Sequence, residues 1–130
     1  MIIDVANEIY TKLKTDITDA PVLFSYPTEK PEFPCIIFEE ISNKTDTDSV
    51  DSAGEQVNEI VMEINIFTTG ETKRTLANSL RNQVDTIMSD YYNCNRGYSE
   101  ATVNYLDDSI YRYILRYDFK IDKNKKIYRR

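Results

Sequence analysis

The sequence contains no histidine, only two cysteines and only three glycines among its 130 residues. Without histidine, the chain lacks the commonest general base near neutral pH and the commonest zinc ligand. A Ser–His or Cys–His nucleophile is therefore impossible within one chain. The glycines form neither of the familiar phosphate-binding patterns, GxGxxG and GxxxxGK, so nucleotide binding through such a loop is not expected.

Long apolar runs are missing as well. No stretch approaches the roughly 18 apolar residues of a transmembrane helix, and the first residues lack the basic leader and apolar run of a signal peptide. We therefore expect a cytoplasmic chain, in which Cys35 and Cys94 are free thiols. Neither a CxxC spacing nor a histidine accompanies them, so a metal or redox role is not favoured.

Carboxylates are abundant but scattered. Glu39 and Glu40 are adjacent on a predicted strand and would point to opposite faces, while Glu59 and Glu63 would lie roughly 13 Å apart. The run from Asp46 to Asp51 resembles a calcium loop only faintly, because it lacks the glycine and the closing glutamate. We expect no catalytic residue, no cofactor and no bound metal, and hence no enzyme.

Two segments have the spacing of amphipathic helices. In residues 3–17 and 71–91, apolar side chains recur three and four positions apart, which places them on one helix face. Thr69 is the expected N-cap of the second helix, and Asp85 is expected on its exposed side. The predicted apolar stripes are Ala6, Ile9, Tyr10, Leu13 and Ile17, then Leu76, Leu80, Val84, Ile87, Met88 and Tyr91.

Strand-like patterns fill most of the remaining chain. They cover residues 22–24, 35–42, 55–68, 98–106 and 109–121. Alternation predicts two core faces: Ile60, Met62, Ile64 and Ile66 in one strand, and Tyr111, Tyr113, Leu115, Tyr117, Phe119 and Ile121 in another. The sequence therefore predicts one α+β domain over residues 1–122, a mainly antiparallel sheet of about four or five strands with two helices packed on one face.

Charge is distributed unevenly over the chain. Residues 123–130 hold five basic and no acidic side chains, whereas the other 122 residues carry 22 acidic side chains against 11 basic ones, the total of 16 less these five. Such an acidic body is not expected to wrap nucleic acid, which requires clustered Lys and Arg. The tail at 123–130 either touches phosphates or an acidic neighbour, or is a solvated mobile terminus. Residues 43–56 are predicted to form a flexible acidic loop.

Four sequence phrases follow one another between these elements. They are Pro-Cys-Ile-Ile-Phe at residues 34–38, Ile-Val-Met-Glu-Ile-Asn-Ile-Phe at 60–67, Leu-Ala-Asn-Ser-Leu-Arg-Asn-Gln-Val-Asp-Thr-Ile-Met at 76–88, and Tyr-Arg-Tyr-Ile-Leu-Arg-Tyr-Asp-Phe at 111–119. With the N-terminal helix and the acidic loop, this order resembles the tail terminator, or tail completion, proteins of long-tailed bacteriophages. Minor capsid and head–tail joining proteins of similar size have the same order. The resemblance covers about residues 3–121.

The resemblance implies a structural virion protein at the head-proximal end of the tail, assembled in the host cytoplasm. Such proteins form a ring, usually a hexamer, that ends tube polymerisation and offers a surface to head-side connector proteins. DNA would pass through the lumen without specific binding, and no membrane would be involved. On this hypothesis, the candidate protein-interface residues are Asp46, Asp48, Asp51 and Glu55 in the loop, and Lys123, Lys125, Lys126, Arg129 and Arg130 in the tail.

Two other kinds of protein fit the same sequence features. One is a different head–tail connector adaptor or a tail tube component. A tube component would polymerise into long tubes by itself instead of stopping at one ring. The other is a small ligand-binding domain, which would need a pocket of converging polar groups.

Overall fold

The computed structural model of the chain describes residues 4–24, 32–45, 57–103, 109–124 and 127–128. Two α-helices and six strands lie in these ranges. In chain order they are α1 (Ala6–Asp16), β1 (Val22–Phe24), β2 (Cys35–Thr45), β3 (Val57–Thr69), α2 (Lys73–Asp85) continued by a π-helical turn (Thr86–Tyr91), β4 (Asn95–Val103), β5 (Ile110–Asp122) and β6 (Ile127–Tyr128). The predicted α+β class is confirmed.

All six strands belong to one mixed sheet with the order β1-β2-β3-β5-β4. Only β1 and β2 pair in parallel, and every other pairing is antiparallel. β6 pairs with β5 at Lys120 and Ile121, beyond the position of Asp118 where the β4 pairing ends. The mainly antiparallel sheet that the alternation predicted is therefore present, with the two-residue β6 as an extra strand.

One face of this sheet, the helix face, carries the hydrophobic core. Phe38, Ile64 and Leu115 lie opposite one another on three adjacent strands, and each is fully buried. The predicted core residues of β3, Ile60 to Ile66, are all buried, as are Leu115, Tyr117, Phe119 and Ile121 of β5. They form one cluster with Ile9 and Leu13 of α1 and with Leu80 and Val84 of α2. Each such side chain contributes roughly 1.5–3 kcal/mol through burial.

The first helix lies within the predicted segment 3–17 but is shorter, from Ala6 to Asp16. Asp4 accepts a hydrogen bond from the backbone N–H of Ala6 at 3.2 Å, which occupies one of the donors left open at a helix start. The helix ends where Ile17 becomes extended, although its N–H still donates to the carbonyl of Leu13. Within the described ranges, neither this helix nor the next has the length and apolar character needed to cross a lipid bilayer.

The second helix differs from its prediction at both ends. Thr69 is the last residue of β3 and not the N-cap, because Gly70 turns the chain with φ of +91° and the helix begins at Lys73 after Thr72. At the other end, the π-helical turn replaces the last α-helical turn. The N–H of Tyr92 donates to the carbonyl of Ile87, five residues back, at 3.0 Å.

That extra residue per turn decides which tyrosine reaches the core. Tyr91 was predicted on the apolar stripe, four residues after Ile87, but it is 65% exposed. Tyr92, five residues after Ile87, packs against the core instead, because hydrogen-bonded residues of a π-helix lie five positions apart. Placing Tyr91 in the core was therefore wrong.

Three element boundaries also differ from the prediction. β2 continues through Thr45, so residues 43–45 belong to the sheet and not to the acidic loop; the rest of that loop lies outside the described residues. β4 begins at Asn95 instead of residue 98. Ile127 and Tyr128 pair with β5, so the segment 123–130 is not wholly a tail outside the fold.

Candidate interaction surfaces

Of the nine charged residues predicted at protein contacts, the structure describes only one. Lys123 is exposed in the turn that follows β5. The other eight lie outside the described residues: Asp46, Asp48, Asp51, Glu55, Lys125, Lys126, Arg129 and Arg130. Their role in contacts remains a prediction.

The described part of the chain holds no group of three or more acidic, cysteine or histidine residues placed to bind a metal ion. Both cysteines are fully buried, and they form no disulfide with each other. Burial raises the pKa of the Cys35 thiol to about 11, so it is protonated at neutral pH and is not a ready nucleophile. Cys94 was predicted in a loop, yet it lies in the core cluster, and its N–H donates to the carbonyl of Met88 at 2.8 Å.

A partly buried polar cluster joins the end of α2 to the sheet. The Tyr117 hydroxyl and the Ser89 hydroxyl both donate to Asp85 Oδ1 at 2.8 Å, and Arg96 Nη1 lies 3.0 Å from Asp85 Oδ2. Asp85 is thus partly buried and fully engaged, although helix periodicity placed it on the exposed side. Burial, together with the bond to Asp85, raises the pKa of Tyr117 far above its ordinary value. The cluster fixes β4, which carries Arg96, against β5 and the π-helical turn.

A shallow groove of about 520 Å³ runs between α1 and the π-helical turn. Lys12 lies 4.2 Å above the ring of Tyr91, and Tyr91 meets Tyr92 edge to face with ring centres 4.9 Å apart. Lys12 also forms an ion pair with Asp16 at 2.8 Å. The groove is open, and Lys12 within it already pairs with Asp16, which does not suit tight capture of a small molecule.

Arginine–aromatic contacts line the side of the molecule near β4. The Arg81 guanidinium lies 5.3 Å from the ring centre of Tyr113, and the Tyr113 hydroxyl lies 2.9 Å from that of Ser99 on β4. Burial acts to raise the pKa of Tyr113, but the hydrogen bonds from Ser99 and Arg81 outweigh it and the pKa is lowered. These contacts leave little of Arg81 available as an isolated phosphate ligand.

The second face of the sheet, opposite the helix face, carries charges of both signs beside apolar side chains such as Ile37, Phe67 and Ile114. Glu63, Arg116 and Tyr98 occupy successive register positions on β3, β5 and β4. Arg116 Nη2 lies 3.9 Å from Glu63 Oε1, and its guanidinium carbon lies 5.9 Å from the Tyr98 ring centre. The Tyr98 hydroxyl donates to Glu100 Oε2 at 2.7 Å. Opposite charges are thus spread along this face without forming a single-sign patch.

One amide on this second face lacks a full set of partners. Asn65 is fully buried, and Arg112 Nε donates to its Oδ1 at 2.9 Å. Within the described part of the chain, the Asn65 Nδ2 has no acceptor. An unpaired buried donor is a cost to folding and not by itself a binding site.

The most exposed regular element is the strand β4. Its residues 96–101 are all exposed, including Tyr98 at 41%, and no described strand pairs with its outer side. An edge strand of this kind presents unpaired backbone donors and acceptors to a partner. The sequence predicted a strand here but not its edge position; Arg96, Gly97 and Glu100, charges and a bulge residue typical of edges, were the available signal.

No protein-family model matches the chain, and none of the curated proteins compared with it is significantly similar.

Proposed function

We propose that the chain is a structural virion protein of a long-tailed bacteriophage, which caps the tail tube as a ring expected to be hexameric. It ends tube polymerisation and provides the surface that joins the tail to the head-side connector proteins. It acts at the head-proximal end of the tail, after assembly in the host cytoplasm. On this proposal the protein is not an enzyme.

The observation that carries the proposal is the order of elements behind the resemblance. The N-terminal helix, the strand that opens with Pro-Cys-Ile-Ile-Phe, the long third strand, the second helix and the tyrosine-rich strand occur in that order as α1, β2, β3, α2 and β5. The strand and helix phrases of the resemblance thus coincide with regular elements of one sheet and its helices.

The surface of the described residues is also consistent with an assembly role. The groove between α1 and the π-helical turn is open and its Lys12 is paired with Asp16, while residues 96–101 of β4 lie exposed at the edge of the sheet. A catalytic role would instead need converging polar groups with perturbed protonation in an enclosed site. Exposed β edges and exposed tyrosines suit a contact with another protein.

The charge of the chain supports the position proposed for it. The formal net charge is −6, with the basic excess confined to residues 123–130. A ring with an acidic inner wall would repel the phosphate backbone and let DNA pass without binding.

The test uses the full-length protein and a purified tail tube protein. Native mass spectrometry and negative-stain electron microscopy should show a closed ring of one size, alone or at one end of each tube. Tube protein polymerised in its presence should give short capped tubes, whereas the tube protein alone should give long ones. A protein that stays monomeric and leaves tube length unchanged would refute the proposal, and one that forms long tubes by itself would be a tube component.

A further inference from the structure

Among the residues that the structure describes, strand segments at both sides of the sheet have no neighbour, and these two open edges differ in sequence and length. One is the outer side of β4, where residues 96–101 are exposed. The other belongs to β2, because β1 pairs only with Ile36 to Phe38 and no described strand lies beside residues 41–45. Lys44 and Thr45 are exposed there. Unpaired edges of both kinds are templates for strand addition.

The directions of the two edge strands are complementary. β2 is antiparallel to β3, β3 to β5, and β5 to β4, so β4 runs opposite to β2. If a second copy is placed beside the first by rotation about an axis along the strands, β4 of one copy meets β2 of the next in antiparallel order. Such a contact is heterologous, and repeating it closes a ring when the rotation divides a full turn.

The side chains at the edges select one register. Glu100 lies on the second face of the sheet, since it is opposite Ile114, which is opposite Asn65. Lys44 lies on the same face, since it is opposite Glu59. Among the described residues, Lys44 forms no ion pair, and Glu100 binds only the neutral hydroxyl of Tyr98.

We propose that copies of this chain join edge to edge, with β4 of one copy antiparallel to residues 41–45 of β2 in the next. Glu100 then lies directly opposite Lys44 of the next copy, and Ser99 lies opposite Thr45. The pairing deepens the proposed ring function and rests on it, because it names the surfaces through which the ring closes. The helix faces of adjacent copies lie on the same side of the continuous sheet.

In this register, residues of the helix face lie opposite residues of the helix face in the next copy, and the same holds for the second face. Ser99 and Thr45 belong to the helix face, since they are opposite Leu115 and Asn58, respectively. The pairs formed by residues 42–45 therefore keep the alternation of both strands, which a shift by one residue would break, whereas Ile41 lies at the bulge of β2. A shift by two would place Glu100 opposite Ser42 and Lys44 opposite Tyr98 in one direction, and Lys44 opposite Thr102 in the other, so either shift would lose the opposite-charge pair.

A charge exchange tests the register directly. Glu100→Lys and Lys44→Glu each put like charges opposite each other and should weaken assembly about tenfold per contact. The double variant restores an opposite-charge pair and should recover most of the wild-type assembly. Analytical ultracentrifugation over a concentration series gives the dissociation constants, and far-UV circular dichroism verifies that each variant is folded.

The matched controls change the same charges away from the edge strands. Glu71→Lys alters an exposed acid in the turn before α2, and Lys14→Glu alters an exposed base on α1. Both should assemble like the wild type. If these controls weaken assembly as much as the edge variants do, net charge and not the edge register explains the effect, and the pairing is refuted.

Proline substitutions provide a second measurement that does not depend on charge. Backbone N–H groups of an edge strand point alternately toward its neighbour and outward, so of Ser99 and Glu100 one donates to β5 and the other faces outward. The variant with proline at the outward position, recognised by its wild-type thermal stability, should lose assembly. A stable proline variant that assembles normally would refute strand addition at β4.

The other outcomes separate this inference from the proposed function. If the wild type forms rings and all edge variants have the same dissociation constant as the wild type, the pairing is refuted and the ring function stands. Failure of the double variant to restore assembly refutes the register, and a twofold dimer through two β4 strands refutes the heterologous contact. A wild type that stays monomeric refutes the pairing, and if it also leaves tube length unchanged the proposed function fails with it.

Discussion

The substitution Tyr117→Phe removes one hydroxyl from the polar cluster around Asp85 and changes little else. Tyr117 is fully buried on β5, and its hydroxyl donates to Asp85 Oδ1 at 2.8 Å. The phenylalanine ring fills the same space, so the core is neither emptied nor overpacked. The variant therefore isolates a single hydrogen bond to a charged acceptor.

The expected loss of stability follows from the surroundings of Asp85. A hydrogen bond to a charged group is worth about 1.5–3 kcal/mol. Asp85 keeps Ser89 and Arg96 as partners, and its side chain is 28% exposed, so water replaces part of the missing interaction. We therefore expect a decrease of about 1–2 kcal/mol in the free energy of unfolding.

The decrease should depend on pH in a defined direction. The pKa of Tyr117 is raised above the ordinary tyrosine value of 10.0, first by burial and then by the bond to Asp85. The unfolded chain loses this proton first, so the stabilisation is present below about pH 10 and is lost above it, by up to about 1.4 kcal/mol per pH unit. Because the variant lacks this group, its stability should approach that of the wild type between pH 10 and pH 11.

Urea unfolding followed by circular dichroism at pH 8, 10 and 11 measures both effects. Tyr91→Phe is the control, since Tyr91 is 65% exposed and should tolerate the change within about 0.5 kcal/mol. Tyr92 and Cys35, whose pKa values are also raised by burial, are common to both proteins and cancel in the difference. Equal stability of Tyr117→Phe and wild type at pH 8, or a gap that widens above pH 10, would refute the reasoning.

Three further outcomes test other features of the fold. Both thiols should resist a thiol reagent in the native protein and react fully in urea, because Cys35 and Cys94 are completely buried; rapid native labelling would contradict this. Leu80→Ala should cost about 2–5 kcal/mol in urea unfolding, while exposed Thr75→Ala on the same helix should stay within about 0.5 kcal/mol. Asn65→Leu should stay within about 1 kcal/mol of wild type, because losing the bond from Arg112 is offset by removing the unpaired Nδ2; a loss above 2 kcal/mol would show that Nδ2 does have an acceptor.

The sheet could be predicted from strand alternation, and α1 could be predicted from helix periodicity. Ile60 to Ile66 and Leu115 to Ile121 are buried as expected, because a period of two places alternate residues on a face whatever the partner strand is. The more polar ends of the same pattern are less buried: Tyr111 and Tyr113 are only partly covered. The alternation of apolar and polar side chains fixes the face, while the extent of burial depends on what the fold places above it.

The π-helical turn was not predictable from that periodicity. An α-helical stripe spaced by three and four residues includes Tyr91, and the sequence gives no sign that a bond from Tyr92 to Ile87 lengthens the repeat to five. The burial of Cys94 was missed for the same reason. The chain returns to the core directly after the turn at Asn93, which has φ of 62°. The contacts of Asp85 were missed for a related reason, since they depend on β4 and β5 lying beside the helix end.

The edge strand and the polar cluster are parts of one arrangement. Arg96 is the β4 residue that reaches Asp85, and Asp85 is held in turn by Tyr117 in the core. The first half of β4 is thereby fixed to the end of α2, while residues 98–101, beyond the bulge, are held by β5 alone and are exposed. A strand anchored at one end and open along its outer side keeps its extended geometry before any partner arrives. The ordering cost of strand addition is then small, so a short contact suffices where it is repeated around a ring.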